Sequence, residues 1–219
     1  GENLMDAEAF QARRKAASAP RRATAADRAA IAKLFAASFA ADPVVSWLVR
    51  KDARQEWARE RMFDVLMHRY GLPGNETWVA DGVTVAALWV PPERADLKLP
   101  WWQEIALIPA IAQVVCLSGM SRMDAFRKAT TRYHPKKRPH WYLMTIGVDP
   151  KFQGQGLGSA MLEATLGAID ARGMPAYLES SSPKNVPLYR RHGFEVTDDF
   201  RPAADAPPLW GMWREPKIL

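Results

Sequence analysis

The chain has 219 residues, of which 48% are hydrophobic and 25% charged, a composition typical of one soluble globular domain with a packed core. Its net charge of +6 favours an anionic partner: nucleic acid, an acidic membrane surface or a phosphorylated small molecule. The single cysteine, Cys116, excludes an intramolecular disulfide and is consistent with a reducing compartment.

Residues 1–22 are rich in Ala, Arg and Lys and poor in large apolar side chains, so we expect a flexible tail or a loose helix. Four residues precede Met5 and resemble a cloning remnant. A nucleic-acid-binding arm is the sharper alternative. No signal peptide is recognisable, and the longest apolar stretch, 105–117, is too short to span a bilayer. We therefore expect a cytoplasmic protein in which residues 23–219 form a single domain.

The first predicted helix begins at a capping box formed by Thr24 and Asp27 and ends before Pro43. Its apolar residues recur at helical spacing, which indicates one buried face. A second helix of the same kind is predicted from about residue 53 to residue 70. The chain thus begins its folded part with two amphipathic helices.

The dipeptide Asp81-Gly82 separates two β-rich runs, 76–80 and 83–90. Such a pair between two runs is a strong signal for a tight turn, so a β-hairpin is predicted here. Residues 97–133 then show the pattern of two further helices, the first of them strongly apolar.

The second half alternates between strand and helix. A buried strand is predicted over 140–150, a helix over 157–172 and a second strand over 174–181, with a glycine-rich loop before the helix. A strand–loop–helix–strand order predicts a βαβ unit whose two strands are parallel. A short helix and two short strands complete the chain.

The loop at 150–158 has glycines at positions 154, 156 and 158. Glycines at a helix N-terminus allow an anion to approach backbone N–H groups that have no helical partner. The loop lacks the lysine of a P-loop and has G-x-G-x-G in place of the dinucleotide spacing. Two interpretations stay open on this stretch alone: a glycine-rich turn, or a site for another phosphate-bearing ligand.

Two motifs carry a resemblance to a known family. Gln153, Gly156 and Gly158 match the Q/R-x-x-G-x-G/A signature of the GNAT superfamily of acetyl-CoA-dependent N-acetyltransferases, and Asn185 and Tyr189 begin a second pattern, N-x-x-x-Y-x-x-x-G-F, at that family's spacing. Within the superfamily, stretches between 22 and 214 resemble puromycin N-acetyltransferases. That likeness is dense after residue 139 and thin between 95 and 135.

The resemblance implies an α/β (α+β) fold: a mixed, mostly antiparallel sheet with one splayed parallel strand pair and helices on both faces. It implies an acetyltransferase that uses acetyl-CoA, needs no metal, and acylates a primary amine of a small molecule in a ternary complex. An antibiotic or secondary metabolite would be the acceptor, in a resistance role, with no nucleic-acid or membrane partner. The alternatives are a protein N-terminal or lysine acetyltransferase, an acyl-CoA sensor, or a nucleic-acid binder. The chain would be a monomer or homodimer.

The same resemblance assigns the site. Tyr189 would protonate the leaving thiolate, and Glu179, at the end of a strand, would accept the proton of the amine. Core packing is the alternative for Tyr189, and a surface position is the alternative for Glu179. Gly147 is expected to mark a β-bulge that frees backbone donors. The candidate cofactor-binding residues are Ile146, Gly147, Val148, Gln153, Gly154, Gln155, Gly156, Leu157, Gly158, Ser159 and Asn185.

The sequence also offers candidates for the acceptor side of the site. By analogy with the early helices of such folds, aromatic walls are expected around a flat amine-bearing molecule. The candidates for this wall are Phe39, Asp42, Trp47, Trp101 and Trp102.

Overall fold

The computed structural model of the chain describes residues 2–218 and contains a seven-stranded sheet in the order β1-β2-β3-β4-β5-β7-β6. Within the described residues β4 and β5 are parallel, and every other neighbouring pair of strands is antiparallel. The predicted mixed, mostly antiparallel sheet is confirmed. The strands are β1 Arg21–Arg22, β2 Thr77–Val79, β3 Val85–Val90, β4 Trp141–Val148, β5 Ala176–Ser180, β6 Glu195–Phe200 and β7 Leu209–Arg214.

Helices cover both faces of this sheet, as predicted. A π-helical turn, Met67–Gly71, joins α4 to α5 without a break. The helices are α1 Glu2–Ser18, α2 Arg28–Ser38, α3 Pro43–Leu48, α4 Gln55–Leu66, α5 Leu72–Gly74, α6 Trp101–Val115, α7 Met120–Tyr133, α8 Leu157–Ala171 and α9 Val186–Arg191.

Strand β3 shows where the two cores lie. All six of its residues are buried, because successive side chains enter opposite cores. Trp89 packs on the side of α8, with Leu143 and Met161, whereas Leu88 packs on the side of α2, with Phe35. Helix α8 is the crossover between the parallel strands, so one face of the sheet is defined by α8 and the other by α2 and α4.

The expected flexible tail is instead a helix that packs on the domain. Helix α1 lies against α8, and Ala17 near its C-terminus is fully buried in the α8-side core. The Arg13 guanidinium donates from Nε and Nη2 to Gln155 Oε1 at 3.1 and 3.0 Å. Small alanines let two helices approach closely but give little hydrophobic signal, so the sequence pattern did not indicate this contact.

Three further local differences have simple causes. Helix α2 ends at Ser38, before Pro43 as predicted, but a short helix that was not predicted, α3, starts at Pro43 because the Asp42 carboxylate accepts the Val45 N–H at 2.9 Å. Strand β1 was not predicted, since two residues carry no periodicity. Strand β6 is longer than predicted because polar Asp198 occupies a less exposed position and a register shift between Val196 and Asp198 interrupts the alternation.

No single helix among residues 2–218 has both the length and the apolar character to cross a membrane. The successive segments Trp101–Val115 and Leu117–Tyr133 satisfy the length and composition criteria only together, and they are bent by 105° relative to each other.

A buried ion pair ties the last strand to the end of α8. Arg214 of β7 donates from Nη1 and Nη2 to the two carboxylate oxygens of Asp170 at 2.6 and 2.8 Å. Its Nε donates to His192 O at 2.7 Å, so the guanidinium also holds the end of α9. Both side chains are almost fully buried, 3% and 8% exposed, so each charge depends on the other.

Asp170→Ala is therefore expected to lower the free energy of unfolding by about 3 kcal/mol, because it leaves a buried guanidinium without its counter-charge. The measurement is urea-induced unfolding followed by circular dichroism. Asp124→Ala is the matched control, since Asp124 pairs with Lys128 on the exposed surface of α7. The control should lose less than about 1 kcal/mol. Equal losses in the two variants would contradict the structural role of the buried pair.

Candidate active site

Strands β4 and β5 separate partway along their length. They share three residue pairs, of which the last joins Leu143 to Leu178. Beyond it, β4 continues to Val148 against β3, and β5 continues to Ser180 against β7. Because β4 then has a strand on one side only, its other edge presents backbone groups to a gap at the carboxyl ends of both strands. Crevices at the carboxyl ends of parallel strands are where ligands of such sheets bind.

A β-bulge lies where the strands separate. The register between β3 and β4 skips one residue of β4, Met144, directly after Leu143. A bulge bends its strand and increases the local twist, which turns β4 away from β5. The bulge that the sequence predicted at Gly147 thus lies three residues earlier, because Gly147 pairs regularly with Ala86.

Gly147 is needed for a different reason, the close approach of α2. A Cβ atom on Gly147 would lie 2.9 Å from Phe35 Cδ1 and 3.1 Å from Ser38 Cβ. The next amide, Val148 N–H, donates to the Ser38 hydroxyl at 3.2 Å. The predicted donors Ile146, Gly147 and Val148 therefore follow the bulge along the gap, but the last of them already has a side-chain partner from α2.

The loop between β4 and α8 has the backbone geometry of an anion-binding turn. Gly154 and Gly156 have φ angles of 78° and 79°, in the left-handed region that favours glycine. Gly156 directly precedes the first residue of α8. Within residues 2–218, the backbone N–H groups from Gln153 to Ser159 donate to no protein acceptor. These unpaired amides lie at the N-terminal, positive end of α8.

Two loop side chains are held by the rest of the protein. Gln153 Nε2 donates to Val148 O at 3.4 Å, which folds the loop back on the end of β4. The Ser159 hydroxyl forms a 2.8 Å hydrogen bond with His192 Nε2. The Ser159 hydroxyl thus already has a partner, whereas its backbone N–H has no protein acceptor among residues 2–218.

Leu157 and Gly158 start α8 and position it on the sheet. The Leu157 side chain is buried in the core, so only its backbone faces the loop. A Cβ atom on Gly158 would lie 3.4 Å from Val148 Cγ2, an ordinary van der Waals distance, so the start of α8 packs next to the end of β4. Both residues set the direction of the exposed amides.

Tyr189 is 8% exposed and packs edge-on against the ring of Phe194. Burial raises the pKa of its phenol above the ordinary value, and the negative charge of Asp42 raises it further. The phenol therefore stays protonated at neutral pH and can donate a proton or hydrogen bond. Asn185, which precedes α9, makes no side-chain capping bond and is exposed, so capping does not explain its side chain.

Glu179 is a buried carboxyl group at the end of β5. Its Oε1 accepts from the Tyr142 hydroxyl at 3.0 Å, whereas its Oε2 is buried and has no protein partner among residues 2–218. Burial raises the pKa of Glu179 to about 8, against the opposing effect of the Tyr142 hydrogen bond. A carboxyl group that titrates close to neutral pH is suited to proton transfer.

These two candidates lie on opposite faces of the sheet. Tyr189 packs in the α8-side core together with Leu178. Glu179 is the next residue after Leu178, so it points to the other face, where Tyr177 is packed. Beyond the last β4–β5 pair, Leu143 with Leu178, the two strands no longer form a continuous sheet between these faces.

The acceptor-side candidates do not form one wall. Phe39 packs against the α2-side core, and Trp47 Nε1 donates to Asp205 at 3.3 Å. Trp101 and Trp102 at the start of α6 are 73% and 57% exposed. Only Asp42 among the five candidates contacts the end of β5.

The structure adds residues that the sequence did not single out. Ser181, directly after β5, donates its hydroxyl to Asp42 Oδ2, and burial raises the pKa of Asp42. Two more such contacts involve Tyr142 of β4, which donates to Glu179, and Ser38 of α2, which accepts the Val148 N–H. These pairs are joined by folding across large sequence separations, so no local motif could have indicated them. Among residues 2–218, no group of three His, Cys, Asp or Glu side chains is placed to hold a metal ion.

Comparison with known sequences identifies the domain. Residues 111–196 match the sequence model of the acetyltransferase (GNAT) domain. An uncharacterized N-acetyltransferase of Schizosaccharomyces pombe is 26% identical over 211 residues, which cover 91% of this chain and 84% of the relative. A mycothiol acetyltransferase of Saccharomonospora viridis is 26% identical over 182 residues, and these cover 78% of this chain but only 58% of the relative.

Solved structures agree with this fold. A Corynebacterium glutamicum structure described as histone acetyltransferase HPA2 and related acetyltransferase is 26% identical, with a TM-score of 0.66 over 91% of this chain and 97% of that one. The polyamine N-acetyltransferase of Drosophila melanogaster, 15% identical, shares the fold with a TM-score of 0.60 over 90% and 98% of the two chains. With the split parallel pair and the glycine loop, these matches support a GNAT acetyltransferase domain and an acyltransferase enzyme of that type.

Proposed function

We propose that this protein transfers the acetyl group of acetyl-CoA to a primary amine of a small molecule while both substrates are bound. The observation that carries the proposal is the run of unpaired amides from Gln153 to Ser159 beside the gap between β4 and β5. GNAT domains in general use acetyl-CoA, whose diphosphate suits such amides at a helix N-terminus. A Cβ atom on Gly154 would meet no atom within 4 Å, so a phosphate can approach the loop backbone there.

The gap suits the remainder of the same molecule. The edge of β4 beyond Leu143 lacks a β5 partner, and an extended arm that carries amide groups can pair with it as a strand would. In this proposal Ile146, Gly147 and Asn185 contact the arm along its course, with Val148 at its end. The thioester would then lie between the two faces of the sheet.

The proposed chemistry uses one carboxyl group and one phenol. Acetyl-CoA supplies an activated acetyl group as a thioester. As the amine nitrogen bonds to the carbonyl carbon and the carbon–sulfur bond breaks, Glu179 accepts a proton from nitrogen and Tyr189 donates its proton to sulfur. Solvent then returns the proton from Glu179 to Tyr189, so the enzyme ends in its starting state.

The surroundings of Glu179 favour a small acceptor. The rings of Tyr142 and Tyr177 lie 6.0 Å apart beside it, and the ring of His134 meets both edge-on at 5.0 and 5.1 Å. Burial lowers the pKa of His134 to about 4, so this wall is uncharged at neutral pH and suits a neutral amine on an aromatic or apolar molecule. The resemblance to puromycin N-acetyltransferases supports an antibiotic or secondary metabolite, a resistance role and a cytoplasmic location.

A thiol-release assay with acetyl-CoA and three acceptors tests the substrate class: puromycin, agmatine and a lysine-containing peptide. We expect turnover of a small-molecule amine and none of the peptide. Turnover of the peptide alone would refute the small-molecule assignment and favour a protein acetyltransferase.

Gly156→Glu should abolish acetyl-CoA binding, because it puts a carboxylate and a strained left-handed side chain among the amides that face the diphosphate. Isothermal titration calorimetry measures the binding. Gly167→Glu is the matched control, since it adds the same charge at an open position in α8, the helix that follows the loop. Unchanged affinity in Gly156→Glu, with a normal circular dichroism spectrum, would remove the loop from the cofactor site.

Tyr189→Phe should lower kcat by about 10²-fold or more while the Kd of acetyl-CoA changes little, because only the proton donor is lost. Tyr133→Phe removes a hydroxyl from a ring that stacks on Phe200 outside the gap, and it should keep normal kcat. Steady-state thiol release gives kcat, and isothermal titration calorimetry gives the Kd of acetyl-CoA. Wild-type kcat in Tyr189→Phe would exclude the phenol as the acid.

The pH dependence of kcat/KM should report Glu179. A base works only when deprotonated, and burial raises the pKa of Glu179 to about 8, so kcat/KM should rise with pH and level off above about pH 8. Glu179→Gln should remove this rise and lower the plateau about 10²-fold. With one acceptor amine used for both enzymes, the titration of the amine is common to both profiles. Identical profiles would rule out Glu179 as the base.

A further inference from the structure

Helix α1 brings two guanidinium groups to the glycine loop. Arg13 donates to Gln155 Oε1 from Nε and Nη2, and its Cζ lies 4.4 Å from the centre of the Phe152 ring. The Arg14 guanidinium passes over the left-handed turn, with Nε 3.7 Å from the place where a Cβ atom of Gly156 would be. Both charges therefore stand beside the unpaired amides at the start of α8.

The placement of these arginines is set by packing. Ala17 is fully buried against α8 and β3, and Arg13 lies four residues before it, on the same face of the helix. The Ser18 hydroxyl donates to Arg14 O at 2.9 Å and closes the last turn of α1. The buried contact of Ala17 thus fixes the end of α1 next to the loop, in addition to the contacts made by its charged side chains.

Neither arginine has an acidic partner in the protein. Within residues 2–218 no carboxylate lies within 4.0 Å of the Arg13 or Arg14 guanidinium, whereas the next two arginines of the chain pair with Asp27 and Glu76. Two guanidinium groups without a carboxylate partner thus lie next to a run of unpaired N–H groups, which makes this part of the surface strongly positive. Guanidinium groups bind phosphate oxygens in a two-pronged geometry.

We propose that Arg13 and Arg14 of helix α1 bind the diphosphate of the acetyl donor from the side opposite to the loop amides. This inference rests on the proposed function of the loop. It assigns a cofactor-binding role to a segment outside both sequence motifs, and it makes Gln155 a positioning residue that holds Arg13 in place. We assign the two arginines to the diphosphate rather than to the 3′-phosphate because Arg14 lies over Gly156, in the middle of the run of unpaired amides.

The test compares the affinities of five variants by isothermal titration calorimetry. In Arg13→Gln and Arg14→Gln, the Kd of coenzyme A should rise about tenfold each, which corresponds to about 1.4 kcal/mol. Lys15→Gln is the matched control, because it removes the same charge from the same helix without a contact to the loop, and its Kd should stay near the wild-type value. Arg13→Lys and Arg14→Lys keep the charge and should weaken binding less than the glutamine variants. Circular dichroism melting shows that each variant is folded.

Two truncated ligands identify the phosphate that is bound. Dephospho-coenzyme A lacks only the 3′-phosphate, so the arginine variants should weaken its binding by the same factor. Acetyl-pantetheine lacks the diphosphate, so the variants should bind it as the wild type does. Wild-type affinity of both glutamine variants for coenzyme A would overturn the proposal. Tighter binding, or a penalty that disappears with dephospho-coenzyme A, would overturn it as well.

These outcomes are separate from those of the proposed function. If the wild type binds coenzyme A, Gly156→Glu does not, and the arginine variants bind normally, then only the role of α1 is wrong. If the wild type fails to bind coenzyme A, or Gly156→Glu binds as the wild type does, the loop assignment itself is wrong.

Discussion

Strands β4 and β5 share three residue pairs although β4 is eight residues long, and the site depends on this early loss of pairing. The bulge at Met144 turns β4 away, while β5 keeps its antiparallel partner β7 up to Ser180. The contact between Ser181 and Asp42 then holds the chain beyond β5 against the start of α3. The sheet therefore opens at its carboxyl end without losing its two cores, because each separated strand still has a partner on its other side.

This opening gives the two faces of the sheet different tasks. The α8 side carries the glycine loop, the buried phenol of Tyr189 and the arginines of α1, all suited to an anionic thioester and its leaving group. The α2 side carries Glu179 among aromatic rings, suited to an uncharged amine. A sheet that stayed paired would keep Tyr189 and Glu179 apart. In the proposed function, a donor from one side and an acceptor from the other meet in this gap.

Much of the fold could be predicted because its signals are local. The hairpin follows from Asp81-Gly82, and the order of β4, loop, α8 and β5 follows from periodicity and three glycines. The spacing of Gln153, Gly156 and Gly158 indicated the loop that the structure presents at the start of α8. Helix α1 was not recognised as packed, because its buried contacts are alanines. The bulge was placed at Gly147, since a strand glycine indicates either a bulge or a close helix, and only packing distinguishes them.

The sequence by itself determined most helices and strands and the glycine loop, and it singled out one phenol and one carboxyl group as candidates, because these follow from residue type and short-range spacing. Only the tertiary structure decided what surrounds them. The burial that raises the pKa of Glu179, its bond to Tyr142, the hold of Ser38 on Val148 and the position of Arg13 over the loop all join residues distant in the chain. Such contacts depend on how the strands separate and how the helices dock, and no local pattern encodes these two events.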